Sequence, residues 1–219
     1  MGTITRSLAN NITTSGVILP TGITNASVAD VTSFANASGG TLVLLSTQTA
    51  SASANISFTS GIDSTYDEYI FKFINIHPAT DAAILQYNLS TDGGSNYNVT
   101  KTSTWFSAYH NEGDTTSGVS YAPVFDLAQG TIGNSIAQEI GSDNDQSVSG
   151  TLTLFNPSST TYVKHWICRS LTLAYDDFAV DGFSGGYANT TSAINAVRFQ
   201  MSSGNIDDGI IKLYGVKKS

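Results

Sequence analysis

The stretch EYIFKFINI, residues 68–76, decides the fold class of this chain. Most of its residues are aromatic or β-branched, the types that favour strands, and its nearly continuous apolar content predicts a strand covered on both faces. Short runs of the same kind, separated by Gly, Asp, Asn and Ser, follow on both sides. They occupy residues 41–45, 55–59, 84–90, 97–109, 119–127, 149–155, 162–173, 177–180, 193–201 and 210–216.

The short spacing of these runs requires antiparallel pairing, because parallel strands need crossovers of about a dozen residues or more. No amphipathic helix of four turns and no internal repeat interrupts residues 41–219. We therefore predict an all-β body, an antiparallel two-sheet sandwich that is jelly-roll-like, with a closed barrel as the alternative. The sequence DGGS at residues 92–95 predicts a hairpin between the runs at 84–90 and 97–109.

Residues 1–40 differ in composition from the body at 41–219. Their only charged residues are Arg6 and Asp30, and isolated apolar residues are spread among Thr, Ser, Asn and Gly. This pattern predicts an extended N-terminal assembly arm with a short helix at 27–37. A segment so poor in apolar residues cannot bury a core of its own, so we expect a neighbouring subunit to hold it.

Composition and charge exclude several classes of partner. The 219 residues include 29 Ser, 27 Thr and 16 Asn, only 12% are charged, and the net charge is −8. The single basic cluster, Lys212 with Lys217 and Lys218, is too small for a nucleic-acid interface. No run approaches the 18 apolar residues of a membrane span, and residues 1–20 lack the apolar region of a signal peptide. The sequence therefore predicts no nucleic-acid partner, no membrane insertion and no signal peptide.

The residues with catalytic or metal-binding potential form no complete motif. The sequence GFSGG at 182–186 matches the hydrolase pattern G-x-S-x-G, but no helix can follow Ser184, and we interpret this stretch as a glycine-rich loop. The three histidines have no zinc-site spacing, and the acidic stretches 143–145 and 176–177 lack the spacing of an EF-hand. The two carboxylates of a glycosidase meet in space, so the positions of the Asp residues in the sequence neither predict nor exclude such a pair. The prediction is a protein without enzymatic activity, cofactor or metal, in which the single cysteine, Cys168, is buried and inert.

Aromatic and polar residues occur together near two predicted turns. Aromatic faces stack on sugar C–H groups while amides and carboxylates bind sugar hydroxyls, so these positions predict a shallow glycan contact on loops. Core aromatics at strand ends are the alternative interpretation. The candidate residues are Tyr109, His110, Asn111, Glu112 and Tyr121 near the first turn, and Asp181, Phe183, Tyr187 and Asn189 near the second.

Four segments of the chain resemble virion proteins of tailed bacteriophages, especially those of marine hosts. They are TITRSLANNITTSGV (3–17), GIDSTYDEYIFKFINIHPATD (61–81), STDGGSNYNVT (90–100) and SSGNIDDGIIKLYGVK (202–217). In such proteins the closing strand often reads GTIKLYGI, which residues 209–216 match. The shared stretches are strands, so no functional residue is carried over.

The resemblance implies a non-enzymatic virion subunit, tail-fibre- or adhesin-like and homotrimeric. Such a subunit would dock on other virion proteins through residues 1–40 and display the sandwich towards host surface polysaccharide. A capsid decoration protein is the alternative within the same class. A carbohydrate-binding module is the alternative from another class, and a glycan-degrading depolymerase ranks last. The virion is the expected location, after synthesis in the host cytoplasm.

Overall fold

The computed structural model describes residues 12–13, 16–17 and 41–218. By its internal contacts the chain divides into two compact units, residues 1–40 and 41–219. In the first unit, β1 (Ile12–Thr13) and β2 (Gly16–Val17) form an antiparallel pair. The helix predicted at 27–37 and the rest of the predicted arm lie outside the described residues.

The second unit is built from twelve strands and one short 3-10 turn, Pro123–Phe125. Every pairing between these strands is antiparallel. The strands are β3 (Leu42–Thr49), β4 (Ile56–Phe58), β5 (Glu68–Pro78), β6 (Leu85–Ser90), β7 (Lys101–Asn111), β8 (Ser117–Tyr121), β9 (Asn134–Ser135), β10 (Val148–Phe155), β11 (Lys164–Leu173), β12 (Phe178–Ala188), β13 (Ala196–Met201) and β14 (Ile206–Val216).

The strands form two sheets packed face to face. The large sheet has eight strands in the order β3-β14-β5-β10-β11-β12-β7-β8, and the small sheet has four in the order β4-β13-β6-β9. Four pairs are nested in the chain: β5 with β14, β6 with β13, β7 with β12, and β10 with β11. Nested antiparallel pairing of this kind is the chain path of a jelly roll. The predicted all-β, two-sheet, jelly-roll-like fold is confirmed.

The main core lies between the two sheets. Phe71 of the large sheet packs edge-on against Phe58 of the small sheet, with ring centroids 5.4 Å apart, and Phe199 of the small sheet lies 5.4 Å from it as well. Tyr87 and Trp166 make a similar contact between the sheets at 5.2 Å. Cys168 is buried in this core as predicted, and burial raises the pKa of its thiol.

A smaller apolar cluster lies beneath the β7 end of the large sheet. Trp105 packs against Phe125 of the 3-10 turn, with ring centroids 5.0 Å apart, and Val180 and Ala174 complete the cluster. The small sheet therefore covers one part of the inner face, while the 3-10 turn contributes to the cover at the other end.

The predicted hairpin at residues 92–95 is wrong. The turn itself is present, because the Asp92 carboxylate accepts hydrogen bonds from the Ser90 hydroxyl and from the Asn96 backbone and side chain, which lowers the Asp92 pKa to about 2. However, β6 pairs with β13 and β9, whereas β7 pairs with β12 and β8. The connection at 91–100 is long enough to cross from one sheet to the other.

Two further expectations need correction. The strand at 68–76 is covered on one face only, since Phe71 and Phe73 are buried whereas Ile74 on the opposite face is 39% exposed. The GFSGG stretch is not a loop but the middle of β12. Both segments belong to the large sheet. The face of this sheet that points away from the small sheet is called the outer face.

Candidate functional site

The outer face holds most of the exposed apolar surface of the described residues. Along each strand, side chains alternate between the two faces, so the exposed residues fall between buried neighbours such as Trp105 and Trp166. Of the twelve large apolar side chains that are exposed, eight lie on this face: Leu42, Leu44, Ile74, Phe106, Val119, Tyr121, Ile167 and Leu171. They lie on five strands of the large sheet, from β3 at one edge to β8 at the other, so the exposure is spread over one surface.

One row of side chains crosses all eight strands of the outer face, and we call it the cross-strand row. Each member is directly paired with the next, and seven strand spacings of about 4.8 Å give the row a length of about 34 Å. The row runs Thr47, Lys212, Lys72, Thr151, Arg169, Phe183, Phe106, Tyr121. The part of the row on the first four strands carries the two lysines and is called the cationic half. The part on the last three strands carries three aromatic rings and is called the aromatic half.

The centre of the row is a rigid stack. The rings of Phe106 and Phe183 are nearly parallel, at 6°, with centroids 5.0 Å apart. The Arg169 guanidinium lies on the other side of Phe183, 5.1 Å from the ring centroid. Because the centroid spacing matches the strand spacing, the rings stand on the sheet side by side and present their edges to solvent.

Asp181 fixes the guanidinium that closes this stack. Arg169 Nε donates to Asp181 Oδ1 at 2.9 Å and Nη2 donates to Oδ2 at 2.7 Å, a bidentate geometry. This contact lowers the pKa of Asp181 and raises that of Arg169. Both groups therefore stay charged near neutral pH, and the stack keeps its shape.

A depression lies beside the stack, at Gly185. This residue is paired with Thr104 on one side and Ile167 on the other, and it forms part of the floor of an open depression of about 500 Å³ walled by Phe106 and Phe183. A Cβ at this position would lie 3.6 Å from the nearest atom, which is an ordinary contact. The atoms beneath Gly185 therefore leave room for a side chain, and the depression is an opening in the apolar face.

Three of the predicted glycan-contact residues meet on the outer face. Tyr121 and Phe183 lie on either side of Phe106 in the cross-strand row, and Asp181 binds the arginine of the stack. The Tyr121 hydroxyl donates to Asp126, and this bond raises the pKa of Tyr121. These side chains lie on strands, so the expected loop placement is wrong for them.

Tyr109 and His110 point to opposite sides of β7. Tyr109 is turned inwards and packs against Phe178 at the edge of the smaller cluster, with ring centroids 6.0 Å apart. His110 is exposed, and its Nε2 lies 3.2 Å from a carboxylate oxygen of Asp114. The adjacent Asn111 side chain holds the turn after β7 by accepting from the backbone at 115 and 116. The backbone N–H of Glu112 binds the loop before β12.

Tyr187 and Asn189 lie at the other end of β12. The Asn189 amide donates to Gln129 Oε1 at 2.7 Å, and the Gln129 amide donates to Thr102 at 2.6 Å and to the Tyr187 hydroxyl at 3.4 Å. Six residues of extended strand, about 20 Å, separate Tyr187 from Asp181. The predicted residues therefore lie in separate places and do not form one site: Tyr121, Asp181 and Phe183 at the stack, Tyr109 to Glu112 at the far end of β7, and Tyr187 with Asn189 in a polar patch at the end of β12.

Sequence reasoning missed the other members of the outer-face group: Phe106, Arg169, Gly185, Lys72 and Lys212. Burial alternates along β11, where Ile167 and Arg169 are exposed and Trp166 and Cys168 are buried, but residues 166–168 are all apolar, so the sequence carries no signal of this alternation. Which of these residues lie side by side depends on strand order, and no local pattern carries that information.

The structure gives Ser184 no catalytic setting. Its side chain is buried on the inner face of β12, and its hydroxyl donates to the backbone carbonyl of Ser135 at 3.3 Å. Within residues 41–218, no group of three or more His, Cys, Asp or Glu side chains is placed to hold a metal ion. In the described part of the chain, no helix has the length and apolar character needed to cross a membrane.

Comparison with protein-family models, with curated protein sequences and with solved structures finds no match to this chain.

Proposed function

We propose that this chain is a non-enzymatic structural subunit of a tailed-phage particle, tail-fibre- or adhesin-like. It docks through residues 1–40, displays the sandwich on the particle surface and works as a homo-oligomer, most simply a trimer. The observation that carries the proposal is the apolar outer face. Contiguous apolar patches larger than a few hundred Å² mark interaction surfaces, and a subunit of a particle is a protein whose surfaces are covered by neighbours.

Sequence features support the same assignment. The chain resembles tailed-phage virion proteins in four segments that include most of β5 and β14. Its low share of charged residues, 12%, suits a protein that contacts other subunits through hydroxyls, amides and apolar groups. The chain divides at Gly40 into two compact units, and the first has the polar composition that suits a docking segment.

Localisation on the particle tests this proposal. Antibodies against residues 41–219, coupled to gold, are applied to purified particles of the phage that encodes the chain, and electron microscopy records the labelled part. Label on the tail fibres supports the proposal. Label spread over the head overturns the fibre assignment in favour of a decoration protein. Absence of the chain from purified particles by mass spectrometry overturns the virion role altogether.

A carbohydrate-binding role remains the second candidate because of the polar patch at Tyr187. A phenol hydroxyl and two amides, those of Gln129 and Asn189, lie within hydrogen-bonding distance of one another beside the end of β12. Groups of this kind bind sugar hydroxyls, and the exposed amide of Asn189 is free to exchange a partner. Tyr187 lies on the outer face, four residues from Phe183 along β12, about 13 Å.

A further inference from the structure

We propose that the outer face is the contact surface between copies of this chain, and that its aromatic half packs against the cationic half of a neighbouring copy. The inference rests on the homo-oligomer of the proposed function and names its interface. It does not depend on where the oligomer sits in the particle.

The outer face is large enough to contact two neighbouring copies. The cross-strand row is about 34 Å long, and β10 and β11 stay paired over seven residues, about 23 Å. The product is about 800 Å², the area that one partner contributes to an interface of standard size. In a ring this area is divided between two neighbours, so the aromatic half and the cationic half each offer about 400 Å².

The geometry of the rings favours a protein partner over a sugar. One face of the Phe183 ring is covered by Phe106 and the other by the Arg169 guanidinium. A sugar would need a free ring face, whereas here mainly ring edges point outwards. Beside them lies the depression at Gly185, walled by apolar side chains, which suits an inserted apolar side chain.

The two halves of the row differ in charge. The row carries three cations and no acid, in a chain whose net charge is −8. Neither Lys72 nor Lys212 is paired with a carboxylate anywhere in residues 41–218. Lys72 already lies 5.8 Å from the Tyr214 ring centroid, so a cation over an aromatic ring is a contact that this surface makes within one copy.

Rotational symmetry brings the two ends together. When copies are arranged around an axis, one end of each row meets the opposite end of the next row, and such a head-to-tail contact closes as a ring. Lys72 and Lys212 of one copy then lie against Phe106 and Tyr121 of the next and not against its lysines, which keeps like charges apart. Each copy makes this contact twice, once with each of its two neighbours.

A charge placed on the face tests the interface. Ile167 is 57% exposed near the centre of the face, and Val124, on the 3-10 turn away from it, is 80% exposed. Sedimentation velocity of the full chain is expected to show an oligomer for the wild type and for Val124→Glu. Ile167→Glu is expected to weaken association at least tenfold, with an unchanged circular dichroism spectrum. Equal association of the two variants overturns the proposal.

Cross-linking tests the pairing of the two ends. Tyr121 and Lys212 are separated by six strand spacings, about 29 Å, within one copy, whereas facing sheets pack about 10 Å apart. Since a disulfide requires Cα atoms closer than about 7 Å, the cross-link is made with a short bifunctional maleimide. A chain carrying Tyr121→Cys and Lys212→Cys can be linked at these two positions only between copies. Cys168 is buried and does not compete. The matched control carries Tyr162→Cys and Lys212→Cys. Tyr162 is 69% exposed and lies outside the face.

Covalent oligomers of the first variant but not of the control on a non-reducing gel support the proposed pairing. An oligomer that forms no such cross-link overturns it. A wild-type chain that stays monomeric overturns the interface, while the location on the particle, measured separately, still decides the proposed function. Loss of polysaccharide binding by Ile167→Glu with an unchanged oligomer assigns the face to a glycan and overturns the inference.

Discussion

Lys101 is a charged residue in the interior of the sandwich. It lies at the start of β7 with no exposed surface, and its Nζ donates to Asn88 Oδ1 at 2.7 Å and to the Val99 carbonyl at 3.0 Å. Both partners are neutral, so they replace only part of the hydration that the ammonium group loses. Burial consequently lowers the Lys101 pKa from 10.5 to about 8.

This shift makes the stability of the fold depend on pH. Since the pKa of Lys101 is lower in the folded than in the unfolded chain, the unfolded chain binds more protons between pH 8 and 10.5. The free energy of unfolding therefore rises as the pH rises through that window, and the cost of the buried charge is fully present below it. From pH 7 to pH 10 the expected contribution of Lys101 is a gain of about 2.5 kcal/mol.

The perturbation is Lys101→Met, which keeps the length of the side chain and removes the charge. Urea unfolding followed by circular dichroism at pH 7 and pH 10 gives the change in unfolding free energy with pH for each protein. The wild type is expected to gain about 2.5 kcal/mol relative to the variant over this interval, since other titrating groups are common to both. Lys218→Met, at an exposed lysine, is the control and should follow the wild type. Parallel pH profiles for the wild type and Lys101→Met would refute the reasoning.

Four further outcomes are expected. Gly186→Ala should lower the free energy of unfolding, measured by urea titration, by about 1–3 kcal/mol, because its Cβ would overlap the backbone of β7. Gly185→Ala is the control and should be nearly neutral in the same titration. Esterase assays should detect no turnover that Ser184→Ala removes, since this hydroxyl is buried. Deleting residues 1–36 should leave a folded body, by circular dichroism, that associates more weakly in light scattering and no longer joins particles. Tyr187→Ala should weaken any binding to host surface polysaccharide in pull-down assays, and unchanged binding would remove the polar patch from consideration.

The strands that could be predicted are those whose pattern is local. The runs at 162–173 and 68–76 were predicted from their apolar and β-branched content, and β11 and β5 lie there. The covered face of β11 could not be predicted, because the apolar Ile167 is exposed whereas the polar Ser170 is buried. The exposed face of β5 was misjudged for the same reason, since the order of the strands and sheets decides which face is covered.

The strand that was misread, β12, is one whose composition is set by its neighbours. Gly182 leaves room for the Trp105 ring, which would lie 2.8 Å from a Cβ there, and a Cβ at Gly186 would overlap the backbone of β7. Glycine in a strand interior often marks such a close approach. From the sequence alone, three glycines within five residues indicate a loop, because the bulky partners are contributed by residues about eighty positions away.

The cross-strand row depends on the order of the strands in the sheet, so it could not be predicted from the sequence. Its cations Lys72 and Lys212 lie 140 positions apart and meet because β5 and β14 are the outermost nested pair. Its rings Phe106 and Phe183 meet because β7 and β12 are a nested pair further in. The bulge between Leu213 and Tyr214 shifts the register of β3 against β14, and a slip of one residue would turn side chains to the opposite face. In a simple meander, β5 and β14 would lie far apart, and so would their lysines. The separation of charge from aromatic surface, which the proposed interface needs, follows from the nested pairing itself.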